Sequence, residues 1–124
     1  MTEQFSFERL IVWQLALEAV ACADALAKGL PRPYGEIADQ MRRASLSVVA
    51  NLAEGVGKDG KDQIRFFRIA RGSACETAAL VETAARLGLA SREAHAELRR
   101  LYLRIVGALT VLSCGSSREG KHTA

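Results

Sequence analysis

The chain has 124 residues, of which 49% are hydrophobic and 6% aromatic, with two prolines and a net charge of +3. Its length suits one domain with a single core, and its aliphatic composition is typical of a helical protein. The sequence has no apolar run of roughly 18 residues that would span a membrane, and its N-terminus does not resemble a secretory signal. We therefore expect a cytoplasmic protein.

The first helix is predicted from about Phe7 to Lys28. Its apolar residues cover most of the helix circumference, which indicates burial on more than one side. Gly29 follows the helix, and Pro31 and Pro33 come just after it. This is the usual order of residues at a helix end.

The second helix is predicted from about Pro33 to Glu54, with Gly55 ending it in a left-handed conformation. At 100° per residue its inner stripe holds Ile37, Met41, Ala44, Val48 and Leu52. A polar stripe beside it holds Gln40, Ser47, Asn51 and Glu54, with Arg43 at its edge. Because Ser and Asn are poor helix formers, contact with another helix best explains this second stripe.

Residues 55–60 are predicted to form a polar turn. Their glycines and Lys58 do not have the spacing, the following Ser or Thr, or the preceding strand of a phosphate-binding loop. A third helix is predicted from about Lys61 to Leu87, capped by Asp59 or Asp62 and ended by Gly88. Five cations, here called the basic arc, lie on the side of this helix opposite its apolar face or, for the first of them, just before the helix: Lys58, Lys61, Arg65, Arg68 and Arg71.

The last helix is predicted to begin at the N-cap Ser91 and to end near Leu112. Four amphipathic helices with short connections predict an all-α, antiparallel up-down-up-down four-helix bundle over residues 1–113. Residues 114–124 are rich in Gly, Ser and charge, and we expect a disordered tail.

Some apolar residues are not explained by a single core. We expect these residues to lie in a homo-oligomer interface, because together they would be costly to expose. They are Val12, Leu46, Ile64, Phe67 and Leu103, with Val111 on the last helix.

From Phe7 to about Leu112, the chain resembles the four-helix bundle family that is also called the 23S rRNA intervening-sequence protein family. The first two helices contribute Val12-Trp13-Gln14, Arg42-Arg43-Ala44 and Ala50-Asn51-Leu52-Ala53-Glu54-Gly55. The third adds Phe66-Phe67, Ile69-Ala70-Arg71-Gly72-Ser73 and Glu76. The chain departs from the family at Val49, where relatives often have Pro.

The resemblance implies a four-helix bundle that assembles into a closed ring, most often of five subunits, with no known enzymatic activity. Many relatives are encoded within insertions in ribosomal RNA genes. A related branch contains accessory proteins of diversity-generating retroelements, which bind nucleic acid and a reverse transcriptase.

A polar network is predicted between the second and third helices, comprising Arg43, Ser47, Asn51, Glu54, Ser73 and Glu76. We expect it to be structural, with Glu54 in a partly buried ion pair to Arg43 or Arg71. The alternative is an enzyme that uses Glu54 and Glu76 as paired carboxylates, but no His, Cys or Ser nucleophile arrangement accompanies them.

We expect no metal and no cofactor. His95 is the lone histidine of its helix, His122 lies in the tail, and the Glu-x-x-His repeats of di-iron bundles are missing. The cysteines Cys22, Cys75 and Cys114 form no CxxC, as expected for reduced thiols.

The basic arc is the best functional candidate, and Arg99, Arg100 and Arg104 form a possible second patch. Repeated around a ring, the arc would be a multivalent surface for RNA or DNA phosphates. The alternatives are an ordinary solvated helix face, or a scaffold that binds a protein partner and no nucleic acid.

Overall fold

The computed structural model describes residues 3–114. Its four helices are α1 (Ile11–Lys28), α2 (Gly35–Val56), α3 (Gly60–Arg86) and α4 (Arg92–Cys114). Short 3-10 turns, Ser6–Arg9 and Arg32–Tyr34, precede α1 and α2. Each helix packs on its neighbour along the chain, and α1 also packs on α4. The predicted antiparallel four-helix bundle is therefore confirmed.

The core is built from residues of two sizes. On α1 the buried stripe is mostly alanine, which lets neighbouring helices approach closely: Ala16, Ala19, Ala23 and Ala27. On α4 it is made of larger residues, each contributing about 1.5–3 kcal/mol by leaving water: Leu98, Leu101, Ile105 and Leu109. Tyr102 is buried beside them.

The first helix begins later than predicted. Leu10 is extended, with φ −79° and ψ 125°, and separates the 3-10 turn from α1. The Phe7 ring packs on Trp13 with centroids 4.9 Å apart, and Gln14 donates a hydrogen bond to the carbonyl of Glu8. These contacts fold the N-terminal segment onto the start of α1 instead of extending the helix.

The prediction that Gly55 ends the second helix is wrong. Gly55 is buried inside α2, which continues to Val56, and positive φ occurs instead at Gly60 (54°) and Gly88 (77°). Gly88 follows α3 as predicted and supplies the left-handed residue at its end.

The cap predictions for the later helices had different outcomes. The Ser91 hydroxyl accepts a 3.0 Å hydrogen bond from the amide of Ala94, as expected of an N-cap. Asp59 occupies the N-cap position of α3, but its side chain makes no capping hydrogen bond. Its backbone carbonyl instead accepts from the amides of Asp62 and Gln63.

The described segment ends at Cys114, the last residue of α4. The rest of the predicted tail, residues 115–124, lies outside the described residues. Between residues 3 and 114, no helix combines the length and the apolar character needed to cross a bilayer.

Candidate nucleic-acid interface

The basic arc is carried by the first half of α3 and by the turn before it. Gln63 holds that turn against the end of α2, because its amide nitrogen donates to the carbonyls of Gly55 (3.1 Å) and Lys58 (3.0 Å). Gln63 thus bonds one carbonyl in the last turn of α2 and one in the loop after it, where backbone carbonyls lack helical partners. The role of Gln63 could not be predicted from the sequence, since no local pattern distinguishes it from a surface glutamine.

Lys61, Arg65 and Arg68 are exposed on the outer side of α3. Their spacing of four and three residues places them in one row about 10 Å long. Arg65 lies over the Phe66 ring, with its guanidinium carbon 4.5 Å from the ring centroid. This stacking and a 3.2 Å contact with Asp62 orient Arg65 along the helix surface.

The two ends of the basic arc are engaged by neighbours. Lys58 forms a 3.5 Å ion pair with Glu54 and lies 5.9 Å from the Phe66 centroid. Arg71 donates a 2.9 Å hydrogen bond to the Thr110 hydroxyl on α4. The Glu54 carboxylate offsets the charge of Lys58, and the Asp62 carboxylate offsets part of the charge of Arg65 in the exposed row. Lys61 and Arg68 form no ion pair with the residues described, so the row keeps a net positive charge.

Part of the polar network joins α2 to α3 at mid-height. The Ser47 hydroxyl accepts a 2.7 Å hydrogen bond from the Ser73 hydroxyl and a 3.0 Å bond from the Asn51 amide. Asn51 also donates to the Ser47 carbonyl at 2.9 Å. The Ser47–Ser73 bond therefore connects the two helices, and Asn51 supports the Ser47 hydroxyl from within α2.

The predicted ion pair of Glu54 with Arg43 or Arg71 is wrong. Glu54 lies on the outside of α2 and pairs with Lys58 one turn later. Arg43 donates instead to the side-chain oxygen of Gln40, at 2.6 Å from Nη2, and the Gln40 amide donates to Glu76 at 3.4 Å. Glu54 and Arg43 are both exposed, and each bonds to a residue one turn away along the chain.

Glu54 and Glu76 do not form a carboxylate pair. Glu76 lies at the level of Gln40, and Glu54 is fourteen residues further along α2. At 1.5 Å per residue these levels are about 20 Å apart. This distance exceeds the roughly 5–10 Å between the carboxylates of general acid–base pairs in glycosidases.

The predicted interface residues divide into two groups. Val12 and Phe67 are 6% and 5% exposed, so the premise that they lie outside the core is wrong. Phe67 is buried because it packs on Gly55, where the missing side chain makes room for its ring. Leu46 and Leu103 are exposed, as is Val111, and Ile64 is half-buried.

The second cationic patch is tied to carboxylates. Arg99 donates to Glu82 on α3 at 2.8 Å, Arg100 contacts Glu97 at 2.7 Å, and Arg104 is exposed. His95 also contacts Glu82 at 3.0 Å, so it joins α4 to α3. Hydrogen bonds from His95 and Arg99 lower the pKa of the Glu82 carboxyl.

Over residues 3–114 the structure contains no group of three or more His, Cys, Asp or Glu that could hold a metal ion.

Comparison with known proteins agrees with this architecture. The sequence profile of the family described as 23S rRNA-intervening sequence protein matches residues 8–110. A crystal structure of a protein of unknown function from the S23 ribosomal protein family of Bacteroides thetaiotaomicron superposes with a TM-score of 0.75. The two chains are 24% identical, and the alignment covers 83% of this chain and 98% of the other, which supports the shared fold. No curated protein matches the chain.

Proposed function

Because the chain belongs to the 23S rRNA-intervening sequence protein family, we propose that it is a non-enzymatic, homo-oligomeric scaffold that binds RNA or DNA as an accessory protein. The observation that carries this proposal is the exposed row Lys61, Arg65 and Arg68 on the outer side of α3. A rigid helix holds the three cations in fixed register for successive phosphates.

The expected contacts are with the nucleic-acid backbone. Lysine and arginine side chains on a helix exterior suit phosphate oxygens, whereas sequence is read through base edges in a groove. Binding would therefore depend strongly on salt and little on sequence. A closed ring of five subunits, the number that the family resemblance implies, would repeat the row and raise the overall affinity through multivalency.

Fluorescence anisotropy of labelled structured RNA and duplex DNA, titrated at several salt concentrations, tests this proposal. Wild-type protein should bind with a steep loss of affinity as salt rises. The double variant Arg65→Glu/Arg68→Glu should lose at least tenfold in affinity at low salt while keeping the wild-type oligomer mass. No binding by wild-type protein at low salt would contradict the nucleic-acid role.

A matched control has the same change in net charge at the other end of the bundle. Arg32 and Arg92 are exposed near the starts of α2 and α4, far from the start of α3 in an antiparallel bundle. The variant Arg32→Glu/Arg92→Glu should bind much more tightly than the double variant in the basic arc. Equal losses from both variants would show a general charge effect and no site on α3.

The alternative function is a scaffold that binds proteins and has no nucleic-acid role, with a reverse transcriptase as one partner class that the family resemblance suggests. An apolar groove between α3 and α4, with Leu103 exposed at its edge, favours this candidate. A protein partner that stays bound at fixed stoichiometry after nuclease treatment would support it.

A further inference from the structure

Two apolar surfaces on the outside of the bundle each carry a leucine that is more than half exposed. The first, here called the α1/α2 face, consists of Leu17, Val20, Ala21 and Leu46. Leu46 is 56% exposed and Leu17 is 44% exposed. A depression of about 270 Å³ lies beside them, with Asp24 and Arg42 at its edge.

The second surface, here called the α3/α4 groove, has a volume of about 220 Å³. Ala78, Leu98, Tyr102, Leu103 and Val106 line it, with Glu82 and Arg99 at its edge. Leu103 is 64% exposed.

Gly107 lies one turn after Leu103 on the exposed side of α4. A Cβ atom at Gly107 would meet nothing within 4 Å. Glycine in a helix interior costs about 1 kcal/mol relative to alanine. Since no atom of the same subunit requires the missing side chain, packing within one subunit does not explain Gly107. A small residue beside the groove is suited to a closely approaching helix from outside.

The two surfaces lie on opposite sides of the subunit, because α2 separates α1 from α3 and α4 closes the bundle. They also lie at similar heights along it. On α2, Leu46 is adjacent to Ser47, and the Ser47 hydroxyl accepts a hydrogen bond from Ser73 on α3. Cys75, which borders the groove, comes two residues after Ser73. If two copies lie side by side with their helix axes parallel, the α1/α2 face of one copy is at the same level as the α3/α4 groove of the other.

We propose that the α3/α4 groove of one subunit receives the α1/α2 face of the next, with Leu46 packing beside Leu103. This inference rests on the homo-oligomer of the proposed function and specifies its contact. One contact of this kind covers both apolar surfaces, whereas pairing either surface with itself leaves the other exposed. Unlike surfaces that pair repeatedly make a heterologous assembly, which closes into a ring when the rotation permits.

The charges at the two edges are compatible with this pairing. Asp24 and Arg42 form an ion pair at the edge of the α1/α2 face, with 3.3 Å between the closest atoms. Glu82 and Arg99 form the corresponding pair at the groove. Each edge thus presents one carboxylate and one guanidinium, so opposite charges can meet across the contact without a net excess of either sign.

Two single variants and their mixture test the pairing. Leu46→Asp and Leu103→Asp should each have the 13.4 kDa mass of one chain by light scattering, with unchanged helical circular dichroism because both positions are exposed. Each variant keeps one intact surface. An equimolar mixture should therefore form a one-to-one dimer and no larger particle. Leu87→Asp, at a 48% exposed leucine after α3, is the matched control and should keep the wild-type mass.

Chemical cross-linking gives an independent readout in a Cys22→Ala/Cys114→Ala background. Adding Leu46→Cys should let a short bismaleimide join this position to the native Cys75 of the next subunit, which gives a ladder of covalent oligomers. Cys75→Ala should abolish the ladder. Cross-linking that stops at dimers would instead show a surface paired with itself.

The inference is wrong if wild-type protein is a monomer, if either aspartate variant keeps the wild-type mass, or if their mixture stays monomeric. The nucleic-acid titrations remain informative in each case, because the basic arc is complete within one chain. A monomer that binds nucleic acid through Arg65 and Arg68 would refute this contact and leave the nucleic-acid role intact.

Discussion

Gly55 and Phe67 fit together so closely that a Cβ atom on the glycine would lie 2.8 Å from Cε1 of the phenylalanine ring. Phe66 adds a second contact, with its Cβ 3.1 Å from the same position. Gly55 is therefore a packing residue, and its lack of a side chain lets α2 and α3 approach near the turn that joins them.

We expect Gly55→Ala to destabilise the fold by about 1–3 kcal/mol, the usual range for overpacking a filled core. Alanine is otherwise the better helix former, so the sign of the effect tests the contact. Gly72→Ala is the control, because a Cβ there meets nothing within 4 Å. It should stabilise the protein by about 0.5–1 kcal/mol in urea unfolding. A stabilised Gly55→Ala variant would contradict the close packing.

The sequence predicted the elements whose signals are local. Ser91 as an N-cap and Gly88 as a helix end follow from residue type and position alone. The role of Gly55 depends on how near Phe67 comes from another helix, and no spacing along one helix encodes that distance. The same limit explains Glu54, because a polar stripe does not show which of its members face a neighbour and which face solvent.

Ser47 should be the most sensitive member of the polar network. Ser47→Ala removes the hydroxyl that accepts from both Ser73 and Asn51. We expect a loss of about 1–2 kcal/mol, since half-buried donors then lose a partner. Thr83→Ala is the comparison, because the Thr83 hydroxyl is exposed and donates to Ala79 within its own helix. Equal effects from the two changes in urea unfolding would argue against a link between α2 and α3.

The Tyr102 hydroxyl is buried, with no hydrogen-bond partner among the described residues. Burial raises the pKa of this hydroxyl. Because a buried hydroxyl without a partner costs about 1–3 kcal/mol, Tyr102→Phe should leave the Tm unchanged or raise it. Tyr34→Phe, at a half-buried position outside the core, should change it little. A clear loss of stability in Tyr102→Phe would show that the hydroxyl is satisfied.

Glu82 should make part of the stability depend on pH. Hydrogen bonds from His95 and Arg99 lower its pKa in the folded state. A depressed carboxyl pKa contributes stability above the unfolded value of about 4.3, and this contribution is lost as pH falls through the folded value. Glu82→Gln should therefore be less stable than wild type at pH 7, and the difference should shrink below about pH 4.

Thermal unfolding from pH 3 to 7 measures this effect, with Glu93→Gln, at an exposed position in the first turn of α4, as the control. The control should show no comparable convergence with wild type in acid. The contact of Glu82 with α4 is partly exposed, so added salt should also reduce the effect at pH 7. A constant difference between Glu82→Gln and wild type from pH 3 to 7 would mean that packing, not the carboxylate charge, connects α3 to α4 here.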